Sequence, residues 1–119
     1  MPAPELSCDR ADAGAGGSGW RLLPEFLPRA EADSLFERLL ERVAWCTESF
    51  RIFGREIPAP RLVAWCGDRG LNYRYAGMDH PCSGWLPELG PLRLRLAETC
   101  GFSSRLALLN RYRSGMDCM

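Results

Sequence analysis

Lysine is absent from this 119-residue chain, so all fifteen basic residues are arginine. Planar guanidinium groups suit forked contacts to phosphate, but so complete an absence of lysine reads as a coding bias and carries little weight. Histidine is nearly absent too. His80 stands alone, which excludes a site needing two imidazoles of this chain, such as a two-His-one-carboxylate iron centre or an HExxH zinc centre. The six cysteines (Cys8, Cys46, Cys66, Cys82, Cys100 and Cys118) form no CxxC pair. That removes the zinc-ribbon and thioredoxin readings and favours thiols in a reducing compartment. No apolar run approaches the roughly 18 residues that a bilayer crossing needs. The start, with Glu5, Asp9 and Asp12, lacks the basic and then apolar segments of a secretory signal. A cytoplasmic protein with no membrane partner is expected.

What is present is ordinary for a globular protein, with 46% hydrophobic and 25% charged residues. The length suits one domain rather than two. The zero net charge conceals an asymmetry. Residues 1–50 carry nine acids against five arginines, or −4, and residues 51–119 carry ten arginines against six acids, or +4. The second part is a candidate surface for a polyanion. Residues 1–19, with GAGGSG at 14–19, hold too little apolar surface to order themselves and read as a disordered tail, leaving 20–119 to fold.

Local patterning then sets out an α+β order. Ala32, Leu35, Phe36, Leu39, Leu40 and Val43 recur with helical spacing behind Pro28. From Thr47 to Cys66 the pattern is that of a hairpin with its tip near Phe53-Gly54, interrupted at Pro58-Ala59-Pro60. Leu71 to Tyr75 alternates as a strand, and 77–84 reads as a loop in which His80 is a surface histidine. A second helix is expected from about Gly90 or Pro91 to Cys100, with Gly101 closing it. Along Arg105 to Arg113, a strand would place Leu106, Leu108, Asn110 and Tyr112 on one face.

Three constellations could carry chemistry. Asn110 and Tyr112 continue a face that Leu106 and Leu108 mark as buried, so their polar groups need partners. A small dicarboxylate would accept both donors; neighbouring backbone at a barrel rim is the competing explanation. Phe53, next to Ile52 and Gly54 and between Arg51 and Arg55, could enter a base stack while the guanidiniums hold phosphates, or could fold back onto the core. Tyr73 and Tyr75, with Arg61, Arg69 and Arg74 nearby, could stack an unpaired base or form an ordinary half-buried strand.

Together, PRLVAWCGDRGLNYRYAG at 60–77, the Trp85-Leu86-Pro87-Glu88-Leu89 approach to a helix, and LLNRYRSGMD at 108–117 resemble the AlkB family of Fe(II)- and 2-oxoglutarate-dependent nucleic-acid dealkylases. The resemblance covers about residues 20–119. It implies the N-terminal portion of a double-stranded β-helix (jelly-roll) oxygenase, incomplete here, with two helices and a β-hairpin nucleotide-recognition lid. In the family, iron activates O₂, 2-oxoglutarate is decarboxylated, and an alkyl group on a flipped base is hydroxylated and lost as an aldehyde.

Carried over by position, Asn110 and Tyr112 match 2-oxoglutarate contacts, and Tyr73 and Tyr75 match the base pocket. Ile52-Phe53-Gly54, with Arg51 beside it, looks like the intercalating finger, and Arg61 matches the arginine at the substrate lip. Two departures stand out: Cys66 replaces a frequent tyrosine and Ala76 a frequent serine. The family's His-x-Asp iron motif follows the NRYxxGxD strand, whereas this sequence ends at Met119. The expectation is therefore a monomeric recognition portion of an alkylated-DNA or RNA dealkylase, with neither catalytic nor metal-ligating residues of its own and no turnover alone. A non-catalytic nucleic-acid-binding module and an inert truncated product are the alternatives.

Overall fold

The computed structural model describes residues 21–75 and 77–118; the tail expected at 1–19 lies outside them. In chain order the elements are α1 (Arg29–Arg42), β1 (Cys46–Ile52), β2 (Arg55–Gly67), β3 (Asn72–Tyr75), β4 (Met78–Pro81), a short 3-10 turn (Pro87–Leu89), α2 (Gly90–Cys100) and β5 (Leu106–Arg111). All strand pairings among the described residues are antiparallel, so the architecture is α+β. No described helix is long and apolar enough to cross a membrane.

The described residues form two compact units. One comprises the segment up to Glu41 with Pro91–Ser103, and the other Arg42–Gly90 with the segment from Ser104. In the first, α1 begins one residue after Pro28, whose carbonyl accepts the Ala32 N–H at 2.8 Å. Pro28 lacks an N–H of its own, a group that a helix start leaves unpaired anyway. Arg95 on α2 donates to the Phe26 carbonyl at 3.1 Å and to the Glu31 carboxylate at 3.0 Å. It thus holds both the entry to α1 and its first turn. The expected stripe on α1 is half-buried except at Phe36, which is 62% exposed.

The second unit is built on a three-stranded sheet in the order β1-β2-β5, and β3 and β4 form a separate two-stranded ribbon. Between β1 and β2, Ile52 pairs with Arg55 across the two-residue loop Phe53-Gly54. Both loop residues have positive φ, 51° and 76°, the combination of a type I′ turn, whose twist matches that of the flanking strands. Glycine adopts this conformation freely; phenylalanine does so at a cost of about 1–2 kcal/mol.

The Pro58-Ala59-Pro60 interruption does not end β2. Instead the register slips: Thr47 faces Leu62 while Ser49 faces Pro58, so Glu48 alone spans Ala59, Pro60 and Arg61. Prolines offer no ladder N–H, so regular pairing cannot run through them. Ala59, Val63, Ala64 and Cys66 of this strand are buried.

At the far end of β2, Gly67 pairs with Leu106 of β5 and bridges Gly84. A Cβ there would lie 2.6 Å from the Arg105 carbonyl, so only glycine fits. Asp68, next along the AWCGD string, accepts from Trp85 Nε1 at 2.9 Å and from Arg105 Nε at 3.3 Å. That motif residue fastens the end of β2 to the approach to β5. Asp117 of the NRYRSGMD string likewise accepts from the Arg113 backbone N–H at 2.9 Å and Nε at 2.7 Å.

Two expectations are corrected. The segment 77–84 is not all loop, because Met78–Pro81 forms β4, with Tyr73 opposite His80 and Arg74 opposite Asp79. His80 is accordingly no surface residue; its exposure is 0%. An isolated histidine beside proline reads as a loop only while its partner strand goes unrecognised. The face carrying Leu106 and Leu108 is also not buried, for Leu108 is 38% exposed. Among the described residues β5 is an outer strand bonded only to β2, and alternation reports which residues share a face, not whether anything covers it.

Candidate functional site

The β2-β5 register places the side chains of Arg61, Val63 and Trp65 on one face with Leu108 and Asn110, because Val63 pairs with Asn110 and Trp65 with Leu108. The β3-β4 ribbon meets this face. Trp65 Nε1 donates to the Pro81 carbonyl at 3.0 Å, and the Trp65 indole stands edge-on to His80 at 4.5 Å. Glu48, delivered to the same place by the register slip, is 5% exposed. Each of its carboxylate oxygens has one partner: Oε1 accepts the Tyr75 hydroxyl at 3.1 Å, and Oε2 lies 2.5 Å from His80 Nε2.

His80 Nδ1 is 3.0 Å from the Tyr73 carbonyl oxygen. A carbonyl only accepts, so Nδ1 carries a proton. The short contact between Nε2 and Oε2 then needs a second proton between them. The imidazole also stacks on the Tyr75 ring, 4.4 Å between centroids at 15°, and Tyr75 meets Tyr73 at 5.3 Å. Burial, then the hydrogen bond to Glu48 and its charge, push the Tyr75 phenol above its ordinary range, against the opposing effect of the nearby Arg61 cation.

Most of the sequence-predicted residues stand in this neighbourhood, though not as one cluster. Arg61, 9% exposed, donates through Nε to Asn110 Oδ1 at 3.0 Å, joining the expected substrate lip to an expected cosubstrate contact. Tyr112 lies one residue beyond β5 and is 45% exposed. Tyr73 is 40% exposed, and Tyr75 is half-buried above Glu48. The finger residues are apart from these. Phe53 is 98% exposed at the hairpin tip, with Ile52 at 45% and Arg51 also exposed. Folding of Phe53 back onto the core is thereby ruled out.

Two residues of the site escaped the sequence reading, Glu48 and His80. A signal for His80 exists: Tyr73-Arg74-Tyr75, then Ala76-Gly77, then Met78-Asp79-His80 reads as two short alternating runs about a two-residue turn, with Arg74 opposite Asp79. Glu48 has no such signal, since Pro58 and Pro60, just past the hairpin tip, warn of an interrupted ladder but not of how far the register moves.

Among the described residues, no three His, Cys, Asp or Glu side chains converge to hold a metal ion.

The model of the 2OG-Fe(II) oxygenase superfamily matches residues 19–119. The chain is 35% identical over 92 residues to the mouse (Mus musculus) DNA oxidative demethylase ALKBH2, covering 75% of this chain and 38% of that protein. It is 33% identical over 92 residues to the human (Homo sapiens) ALKBH2, covering 75% and 35%. To the rat (Rattus norvegicus) alpha-ketoglutarate-dependent dioxygenase alkB homolog 3 it is 37% identical over 99 residues, covering 81% and 32%. The chain thus spans about a third of the length of these relatives. With the family model covering all but its first 18 residues, the chain belongs to the 2OG-Fe(II) oxygenase superfamily, in its AlkB-like branch.

Proposed function

We propose that this chain is the nucleic-acid-recognition portion of an AlkB-like oxidative dealkylase, with alkylated DNA as its substrate class. The observation that carries the reading is Phe53. An aromatic ring 98% exposed, on a strained φ of 51°, at the tip of a hairpin has no structural reason to be there, whereas a base stack would give its face a partner. Arg51 and Arg55 flank it for phosphate contacts, and Tyr73 and Tyr75 offer rings on which a displaced base could stack. The finger favours duplex DNA over single strands or RNA.

Jelly-roll strands beyond these would cover the exposed side of β5. Asn110 and Tyr112 fit the cosubstrate by donor chemistry: a phenol, and an amide held by the Arg61 cation, suit a carboxylate of 2-oxoglutarate. Bound with Fe(II), 2-oxoglutarate supplies the oxidation of the alkyl carbon. Iron itself finds no fit among the described residues, the one histidine being engaged by Glu48 and Tyr73. No step through iron is assigned to this chain, and it does not turn over alone.

The test has two parts. Titrating the chain into duplex DNA at low salt should show binding that weakens as salt rises. Phe53→Ala should weaken it roughly five- to a hundredfold, the loss of one stacking contact of about 1–3 kcal/mol. Incubation with Fe(II), 2-oxoglutarate and methylated DNA should yield no succinate above background. Absence of any DNA affinity sinks the recognition role, and coupled succinate formation sinks the assignment of inactivity.

A further inference from the structure

Glu48 and His80 belong to no part of the role described above, yet they are the most deeply enclosed polar pair of the second unit, at 5% and 0% exposure. They also join separate substructures. Glu48 lies on β1, five residues before Phe53, and His80 lies on β4 of a ribbon that shares no ladder with the three-stranded sheet. The contacts that seat the ribbon on that sheet come from side chains: Trp65 to the Pro81 carbonyl, and Glu48 to both Tyr75 and His80.

We propose that Glu48 and His80 are a positioning pair for Tyr75: they hold its ring and hydroxyl in one orientation and thereby preset the tyrosine surface that receives a base. The inference rests on the reading of Tyr73 and Tyr75 as base-contacting residues.

Three constraints converge on Tyr75. Its hydroxyl donates to Glu48 Oε1, the His80 ring lies parallel beneath it at 4.4 Å, and His80 is itself held at both nitrogens by Glu48 and the Tyr73 carbonyl. A half-exposed tyrosine would otherwise lose rotamer freedom each time a base stacked on it, and holding it beforehand removes that cost from binding. The groups around the pair leave no other tenant for Glu48. Arg61 directs its Nε to Asn110 and also hydrogen-bonds the Tyr75 hydroxyl rather than Glu48, and Arg74 and Asp79 face each other on the exposed side of the ribbon at 2.8 Å.

The geometry also separates hydrogen bonding from charge. In Glu48→Gln the amide oxygen still accepts the Tyr75 hydroxyl, and the amide N–H donates to Nε2 of a neutral His80 whose Nδ1–H stays on Tyr73. Glu48→Leu removes both bonds. His80→Phe keeps a ring beneath Tyr75 but loses the tether to Glu48.

The experiment uses the full chain, its single histidine labelled with ¹⁵N so that one imidazole gives the whole histidine signal. Tyr75 ring resonances, the imidazole N–H signals and the affinities for a single-stranded oligonucleotide with and without one methylated adenine are measured together. Wild type should show a protected Nδ1–H proton and prefer the methylated strand. Glu48→Gln should retain that preference within about twofold, with the Nδ1–H signal kept. Glu48→Leu and His80→Phe should shift the Tyr75 resonances and lower the preference roughly five- to a hundredfold, the range of one stacking contact, while affinity for the unmodified strand holds.

Folded Glu48→Leu or His80→Phe protein with wild-type Tyr75 resonances overturns the inference, as does loss of preference in folded Glu48→Gln. Should Glu48→Leu fail to fold, His80→Phe and Glu48→Gln still decide the matter. A wild-type chain that ignores the methyl group removes the base-contacting reading, and the Tyr75 resonances alone then judge whether the pair positions that ring.

Discussion

Phe53 combines two properties that stability does not select: a side chain 98% exposed and a backbone φ of 51°. Replacing it by glycine should therefore stabilise the fold by about 1 kcal/mol, since the αL penalty disappears and no packing is lost. The same variant should bind DNA more weakly, a stability–function opposition that paired melting and binding curves would display. A Phe53→Gly variant that melts lower than wild type would mean the ring packs on something. At Tyr75, the raised phenol gives a pH signature. Its protonated hydroxyl contributes stability that is complete below the ordinary phenol value near 10 and is lost as pH rises through the higher folded-state value. Ultraviolet titration should show a tyrosine ionising late, and Tyr75→Phe should delete that component. The free thiols offer a further check. Burial pushes Cys82 and Cys46 upward, while Cys118 is exposed, so iodoacetamide under native conditions should modify Cys118 before either.

Element formation follows local chemistry wherever one element suffices to define itself. Both helices and the hairpin tip were legible because apolar spacing, Pro28, Gly101 and Phe53-Gly54 act within a few residues. β4 was not, because four residues reading Met-Asp-His-Pro become a strand only through pairing with β3. The slip that buries Glu48 was equally hidden: prolines warn that a ladder is interrupted but not by how many residues it moves. Gly67 permits a sharp test at this scale. Its missing Cβ makes room for the Arg105 carbonyl, so Gly67→Ala should destabilise the unit by about 1–3 kcal/mol, the usual cost of overpacking. Wild-type melting of that variant would contradict the β2-β5 register. Breaking the exposed Arg74–Asp79 pair with Arg74→Ala should leave the melting curve nearly unchanged, though the depressed Asp79 carboxyl should return toward its ordinary value.

The chain as a whole spans about a third of the length of the relatives it matches. Asn110 stands on the outer strand β5 and Tyr112 one residue past it; their shared face was legible from alternation, while the cosubstrate role proposed for them comes from resemblance. The basic charge of residues 51–119 agrees with a surface for nucleic acid, and the finger and tyrosine ribbon both lie within it. The most direct test of that account places 2-aminopurine beside a methylated adenine in a DNA duplex and follows its fluorescence as the chain is added. Entry of Phe53 into the stack should unstack the reporter and raise its emission, and Phe53→Ala should abolish most of the rise. Saturated binding with unchanged emission would show that the protein touches DNA without opening it, and would contradict the account.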